Sequence, residues 1–232
     1  MRTLYIDTSS SFLYSAIVED NKILGEIKEE YGQSLSEVAL PRIVSIFNDN
    51  NIKPEDIDKI IVVNGPGSFT GIRIGITITK VYSWSLNIPI TTITSLEAMS
   101  LSSETAKYHV PAIDARRGYV FAAIYDENNN QVLKPQHIKI EDLKQEMSKL
   151  DDYVVITNDE YLDEDFDNIE GYNPNLLKIL HTKDAFTPVT FIRSSAACAA
   201  TSMEFGTSEG HTEIAILPQN NSASRTAEAF AL

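Results

Sequence analysis

The chain has 232 residues, 43% of them hydrophobic, with 19 Lys and Arg against 33 Asp and Glu for a formal net charge of −14. That length and apolar share support one large domain or two lobes and exclude a globally disordered chain. The charge opposes unaided binding of DNA or RNA, which relies on Lys and Arg to neutralise phosphates. No stretch approaches the ~18 consecutive apolar residues of a membrane span, so no membrane association is expected. Arg2 and Asp7 interrupt the first residues, so no signal peptide is expected either. Cys198 is alone, which leaves no disulfide framework and no cysteine-based metal site. A cytoplasmic location is the default expectation.

Residues 3–6, 12–18 and 23–27 read as three short strands of an antiparallel meander, joined by polar turns at 7–11 and 19–22. Ser34 predicts a helix N-cap, with Glu37 closing a capping box. Leu35, Val38, Ala39, Ile43, Ile46 and Phe47 then recur at helical spacing toward Asn51, and Pro41 is expected to bend that helix. A turn at 52–57 leads into an apolar strand at 59–63.

Directly after that strand come Gly65, Pro66, Gly67, Ser68, Phe69, Thr70, Gly71, Ile72, Arg73, Ile74 and Gly75. A tight glycine turn with Ser68 and Thr70 as candidate caps aims backbone N–H groups at whatever lies above the strand end, an arrangement suited to anions. Two known phosphate templates nevertheless fail. Gly67 and Gly71 enclose three residues where a P-loop needs four, and Ile72 stands in place of its lysine. The dinucleotide fingerprint fails because Gly71 falls one position late. The structural reading is favoured: glycines permit the sharp turn and let a helix pack close to the sheet. Farther on, Ile72, Ile74, Ile76 and Ile78 alternate as in a strand, while Val81, Tyr82 and Leu86 continue at helical spacing. Periodicity leaves that segment open.

A short strand is predicted at 89–92, a helix capped by Ser95 at 95–101, and strands at 109–114 and 119–125. An amphipathic helix follows at 140–150, a strand at 153–157 and a helix at 175–180. No lysine occurs after Lys183, and residues beyond 188 give no firm element. Three strands followed by helix, strand and helix match the core order of ribonuclease H-like and actin-like folds.

In such folds an acid at the end of the first strand commonly faces a metal-bound phosphate, and Asp7 holds that position. Ser9, Ser10 and Ser11 supply no glycine for a phosphate-binding hairpin, so a structural, hydrogen-bonding role for Asp7 is favoured. Gly118, Gly171, Gly206 and Gly210 are isolated, and no Gly-Gly pair exists, which counts against an adenosine loop. His109, His137, His181 and His211 show no metal-ligand spacing, and no G-x-S-x-G elbow places a nucleophile. No catalytic residue and no cofactor is expected; Asp7, Ser68 and Thr70 are relic candidates only. The pair Arg116-Arg117, between Asp114 and Gly118, either grips a phosphate or carboxylate or is a solvated hairpin turn; both readings stand. The apolar face of the helix at 34–51 is either core or the seat of another protein's helix.

Together these pieces resemble the TsaB (YeaZ) family of bacterial tRNA threonylcarbamoyladenosine biosynthesis proteins. The segments that carry the resemblance are 4–9, 33–41, the glycine string 65–75, Lys80, 87–89, 95–98 and 114–118. The resemblance covers residues 1 to about 126. It implies a two-lobed actin-like (ASKHA) α/β fold with a degenerate nucleotide site, lobes at 1–103 and 104–232, and a helix after Gly71. It also implies a non-catalytic subunit that binds the catalytic protein TsaD and works with the ATPase TsaE. Such a subunit supports threonylcarbamoyl transfer to the adenosine adjoining the anticodon, and meets tRNA only through the complex. The partner surface it implies lies on the first two helices, here Leu35, Val38, Ala39, Arg42, Ile43, Ile46, Phe47, Ile74, Ile78, Val81 and Tyr82, and the same face could pair two copies of the chain. Departures from the family pattern are Gln33 in place of histidine, Tyr119-Val120-Phe121, and the ending at 218–228. The alternative is a stand-alone ATP-dependent enzyme or peptidase of the actin-like superfamily.

Overall fold

A computed structural model describes residues 1–31 and 34–184. Gln33 and the family-pattern ending at 218–228 lie outside the described residues. The meander forms as expected: β1 (Arg2–Asp7), β2 (Phe12–Glu19) and β3 (Lys22–Glu30) pair antiparallel in chain order. On the other side of β1, β4 (Lys59–Val63) and β5 (Ile90–Ile93) add in parallel, giving the order β3-β2-β1-β4-β5. All but the first residue of β4 is buried, as a parallel strand covered on both faces requires.

Alternate residues of these strands feed two different cores. Leu4, Ile6, Leu13, Ile17, Ile60 and Val62 pack under α1 (Leu35–Asp49) and α2 (Phe69–Leu86). Tyr5, Tyr14, Ala16, Val18, Ile61 and Val63 face the opposite way, toward α3 (Ser95–Ser100) and α5 (Leu176–Asp184). The second sheet contains β6 (Tyr108–Asp114), β7 (Tyr119–Asp126), β8 (Gln131–Lys139), β9 (Tyr153–Ile156) and β10 (Ile169–Glu170), in the order β10-β9-β6-β7-β8. Its outer face is covered by Ile140, Leu143 and Met147 of α4 (Ile140–Met147). Its inner face meets α3 through Leu96 against Ala123 and Tyr125. The layers therefore run helix, sheet, helix, sheet, helix, the two-lobed actin-like α/β fold. Residues 103 and 104 fall in the α3–β6 connection, and α5 returns to the layer between the sheets. No helix among the described residues is long and apolar enough to cross a membrane.

Several local expectations need correction. Ser34 does not cap α1 with its side chain; its hydroxyl donates to the Tyr31 carbonyl at 2.9 Å, and no capping box with Glu37 forms. The cap of α3 is Thr94, whose hydroxyl accepts from the Glu97 N–H at 3.1 Å, so Ser95 is the first helical residue. The strands β8 and β10 were not anticipated. β8 is an edge strand with most residues exposed and Pro135 inside it, so it carries no hydrophobic alternation. The alternating isoleucines of α2 are helical because Ile72 with Ile76, and Ile74 with Ile78, are i, i+4 pairs. They form two ridges flanking the buried line Gly71, Gly75 and Thr79.

Candidate functional site

The glycine loop closes on the protein's own β1–β2 turn. A Cβ added at Gly67 would fall well inside 3.0 Å of the Ser9 carbonyl oxygen, and one at Gly71 would do the same to that of Thr8. A Cβ at Gly75 would meet the Thr8 hydroxyl. The contact is also hydrogen-bonded: the Ser68 N–H donates to the Ser9 carbonyl at 2.7 Å and the Thr8 hydroxyl to the Gly71 carbonyl at 2.7 Å. Ser68 is the N-cap of α2, its hydroxyl accepting from the Gly71 N–H at 3.2 Å. The room that these glycines create is thus taken by Thr8 and Ser9. Thr70, exposed on the first turn of α2, faces the space between the lobes.

Asp7 ends β1 fully buried. One carboxylate oxygen accepts from the Ser9 N–H at 2.9 Å and the Ser9 hydroxyl at 2.7 Å. The other accepts from the hydroxyls of Tyr172 at 3.2 Å and Tyr5 at 3.4 Å. Tyr172, from the segment between β10 and α5, brings the second lobe to this point. Asn158 fixes it by accepting from its N–H at 2.8 Å, and the Tyr14 hydroxyl donates to its carbonyl at 3.4 Å. Burial pushes the Asp7 carboxyl above its ordinary range, and the hydrogen bonds from Ser9, Tyr172 and Tyr5 only partly oppose this. Burial likewise raises the hydroxyls of Tyr5 and Tyr172 far beyond ordinary titration, so both stay protonated donors. Asp7 has the place of a ligand-facing acid and the bonding of a structural one.

Between the lobes lies a cleft of about 690 Å³ lined by Ser10, Ser68, Thr70, Ser95, Asp114 and Asp159, among others. Among the described residues no histidine lines it. Arg116 stands at its edge, paired with Asp114 at 3.2 Å. Asp159 accepts from the Asp114 N–H at 2.7 Å, and burial raises its carboxyl. Among the described residues no three His, Cys, Asp or Glu side chains gather to hold a metal. Tyr172, Asn158 and Asp159 carried no sequence signal, being isolated residues far along the chain from Asp7.

The expected partner surface divides in two. Leu35, Ala39, Ile43, Ile46, Phe47 and Tyr82 are buried in the core under the first sheet, with Phe47 stacked on Tyr82 at 6.0 Å, so they cannot form an open face. The reason is the sheet itself: an amphipathic stripe is satisfied first by the apolar face beneath it. Arg42 is paired with Glu29 of β3 and donates to the Tyr31 hydroxyl at 2.8 Å. Val38, Ile74 and Ile78 are half-buried, and Val81 is 42% exposed. Sequence periodicity missed Leu40, 39% exposed on α1, and Trp84, 53% exposed on α2. Both lie outside the buried stripes, on the solvent side of their helices.

The family described as "TsaD: tRNA N6-adenosine threonylcarbamoyltransferase" matches residues 16–179. The tRNA threonylcarbamoyladenosine biosynthesis protein TsaB of Bacillus subtilis (strain 168) is 36% identical over 146 residues, 61% of this chain and 64% of that protein. Its counterpart of the same name in Escherichia coli (strain K12) is 30% identical over 138 residues, 57% and 58% of the two chains. The matched region thus spans about three-fifths of these relatives. Among solved structures, an uncharacterized Pseudomonas aeruginosa protein with similarity to peptidase YEAZ superposes with a TM-score of 0.64 at 18% identity, covering 79% of this chain and 90% of that one. YeaZ from Pseudomonas aeruginosa gives 0.53 at 23% identity, covering 59% and 65%. Both show the fold.

Proposed function

The chain belongs to the family described as TsaD: tRNA N6-adenosine threonylcarbamoyltransferase, and within it to the TsaB (YeaZ) proteins; on that footing we propose that it is a non-catalytic subunit of the tRNA threonylcarbamoyladenosine assembly. It binds and stabilises TsaD, works beside TsaE, and meets tRNA within the assembly rather than alone. One observation carries this reading. The glycine loop and Asp7, the places where a nucleotide enzyme would hold its phosphates, are bonded to the chain's own Thr8, Ser9 and Tyr172. A site satisfied internally leaves the outer surface of the fold to do the work.

The docking face is the exposed side of α1 and α2, centred on Leu40, Val81 and Trp84. Exposed apolar residues together on a helix pair are what a partner's helix buries, and tryptophan is a frequent anchor. In the absence of TsaD the same face pairs two copies of the chain.

Leu40→Glu and Val81→Glu should lower the melting temperature only modestly, because both residues are about two-fifths exposed, on the solvent sides of their helices. Each should weaken pairing with TsaD by about thirtyfold or more, the scale of a ~2 kcal/mol interface anchor. Co-purification with TsaD and the extent of tRNA modification measure this; folded variants that pair normally would remove the surface. Tight binding of Mg-ATP by the isolated chain, read by calorimetry, would favour the stand-alone enzyme instead.

A further inference from the structure

The turn between β6 and β7 places two arginines in a backbone that suits glycine or asparagine. Arg116 and Arg117 both hold positive φ, 68° and 58°, ahead of Gly118 at 75°. Residues with a Cβ pay for that backbone, which glycine or asparagine would adopt more cheaply. The outcome is two adjacent guanidinium groups displayed at the edge of the cleft, both exposed. Such strain persists where the displayed group has a use.

Aromatic rings surround this turn. Arg116 lies over the Tyr161 ring at 5.4 Å, and that ring is 74% exposed. On the open face of β7 and β8, Tyr119 and His137 stack at 4.7 Å with planes 1° apart, and Phe121 approaches His137 at 5.2 Å. Lys139 stands 5.9 Å from the Tyr119 ring, its cross-strand partner in the ladder. Phe121 and Tyr161 both line the cleft, so the rings continue outward from its mouth.

The charge of this region is opposite to that of the whole chain. Residues 115–125 and 131–139 contain Arg116, Arg117, Lys134 and Lys139 and no acid, in a molecule of net charge −14. Asp114 pairs with Arg116, Asp159 lies beside both, and Glu160 precedes Tyr161, but Arg117 and Lys139 form no ion pair with an acid among the described residues.

We propose that the Arg116–Arg117 turn with Tyr119, Phe121, His137 and Tyr161 is a contact surface for unpaired RNA. Bases stack on the rings while the guanidinium groups and Lys139 take the phosphates, the pairing of planar faces and cations by which proteins hold single strands. A free nucleotide would need only the cleft; the row of rings beyond it suits consecutive bases. An acidic peptide would use the cations and leave the rings idle. The inference rests on the reading that the chain works in a tRNA-modifying assembly, where TsaD supplies further affinity and the net charge of this chain is no barrier.

The test uses the full chain with its tRNA, alone and mixed with TsaD, irradiated to cross-link RNA to protein and digested for mass spectrometry. Cross-links should fall in peptides spanning 116–121 and 134–139, and increase with TsaD present. Arg117→Gly removes a charge yet suits the backbone at φ 58°, so it should melt no lower than the parent while binding RNA several-fold more weakly. Its log–log salt slope should fall by about one. His137→Ala, on an exposed strand edge, should cost about fivefold or more. RNA cross-links confined to other peptides, no cross-link in either mixture, or Arg117→Gly and His137→Ala variants that bind RNA like the parent would overturn the proposal. So would preferential capture of an acidic peptide over RNA. Failure of the chain to pair with TsaD, read separately by co-purification, would instead overturn the functional reading above.

Discussion

Gly71→Ala should be the most destabilising of the substitutions considered. Its new methyl group would be driven into the Thr8 carbonyl oxygen, a backbone atom of the β1–β2 turn and not the far end of a flexible side chain. Separating the loop from the β1–β2 turn would also strain two hydrogen bonds, Thr8 to Gly71 and Ser68 to Ser9. Overpacking against rigid backbone costs about 3 kcal/mol or more, a large part of the 5–15 kcal/mol that holds a typical domain together. Gly118→Ala is the matched control. A Cβ there meets nothing within 4 Å and pays only for its φ of 75°, about 1 kcal/mol. Chemical denaturation should separate the two clearly. Equal and small effects at both positions would mean that the loop does not bear on the hairpin.

Asp7→Ala should be the second most damaging change, by about 3 kcal/mol, since it strands the Ser9 N–H without an acceptor and leaves the buried Tyr5 and Tyr172 hydroxyls only each other, at 3.3 Å. Asp7→Asn should behave differently. Its amide can accept from Ser9 and meet the tyrosine hydroxyls while carrying no charge to bury. The pH dependence then has a definite sign. Native Asp7 binds its proton more tightly than an unfolded aspartate near pH 3.9, so between the two values the native state carries more protons. The stabilisation is complete below the unfolded value and is lost as pH rises through the native one. Asparagine does not titrate, so the stability of the Asn variant relative to the parent should grow from acid toward neutral pH. Paired denaturation curves from pH 3.5 to 7 measure it. A constant difference would mean that the native carboxyl titrates like an unfolded one, and an Asn variant as unstable as the Ala variant would mean that the carboxylate itself is needed at this position.

These changes mark where the sequence could and could not be read. The meander was legible because each strand is short, bounded by polar turns and paired with its neighbour in the chain. The glycine string announced a strand, a tight turn and a helix cap, and Ser68 fills the last of these roles. Alternating isoleucines in α2 misled simple periodicity, because two i, i+4 ridges reproduce a period of two. β8 was missed for the opposite reason: an edge strand bathed in solvent needs no hydrophobic pattern, only a partner to bond to.

The stripe on α1 was visible from the sequence, but its destination was not. Leu35, Ala39, Ile43, Ile46 and Phe47 would suit a partner's helix as well as a sheet, and only the sheet's apolar face, assembled from β1, β2 and β4, decides between them. A charge placed at Ile46 would therefore unfold the chain rather than report on partner binding. The informative positions are Leu40, Val81 and Trp84, whose apolar side chains interrupt the solvent sides of their helices.

By itself the sequence carried the resemblance to the family, above all in the glycine string 65–75. It also determined the acidic character of the chain. What the glycines are for was decided by tertiary structure alone. Gly67 and Gly71 make room for a carbonyl, and whether that oxygen belongs to a ligand or to Ser9 and Thr8 depends on contacts across some sixty residues of chain. The same holds for Asp7, whose acceptor capacity is met in part by Tyr172, 165 residues away. Local pattern records which groups a segment offers; the packing of distant segments decides which of those offers remain open.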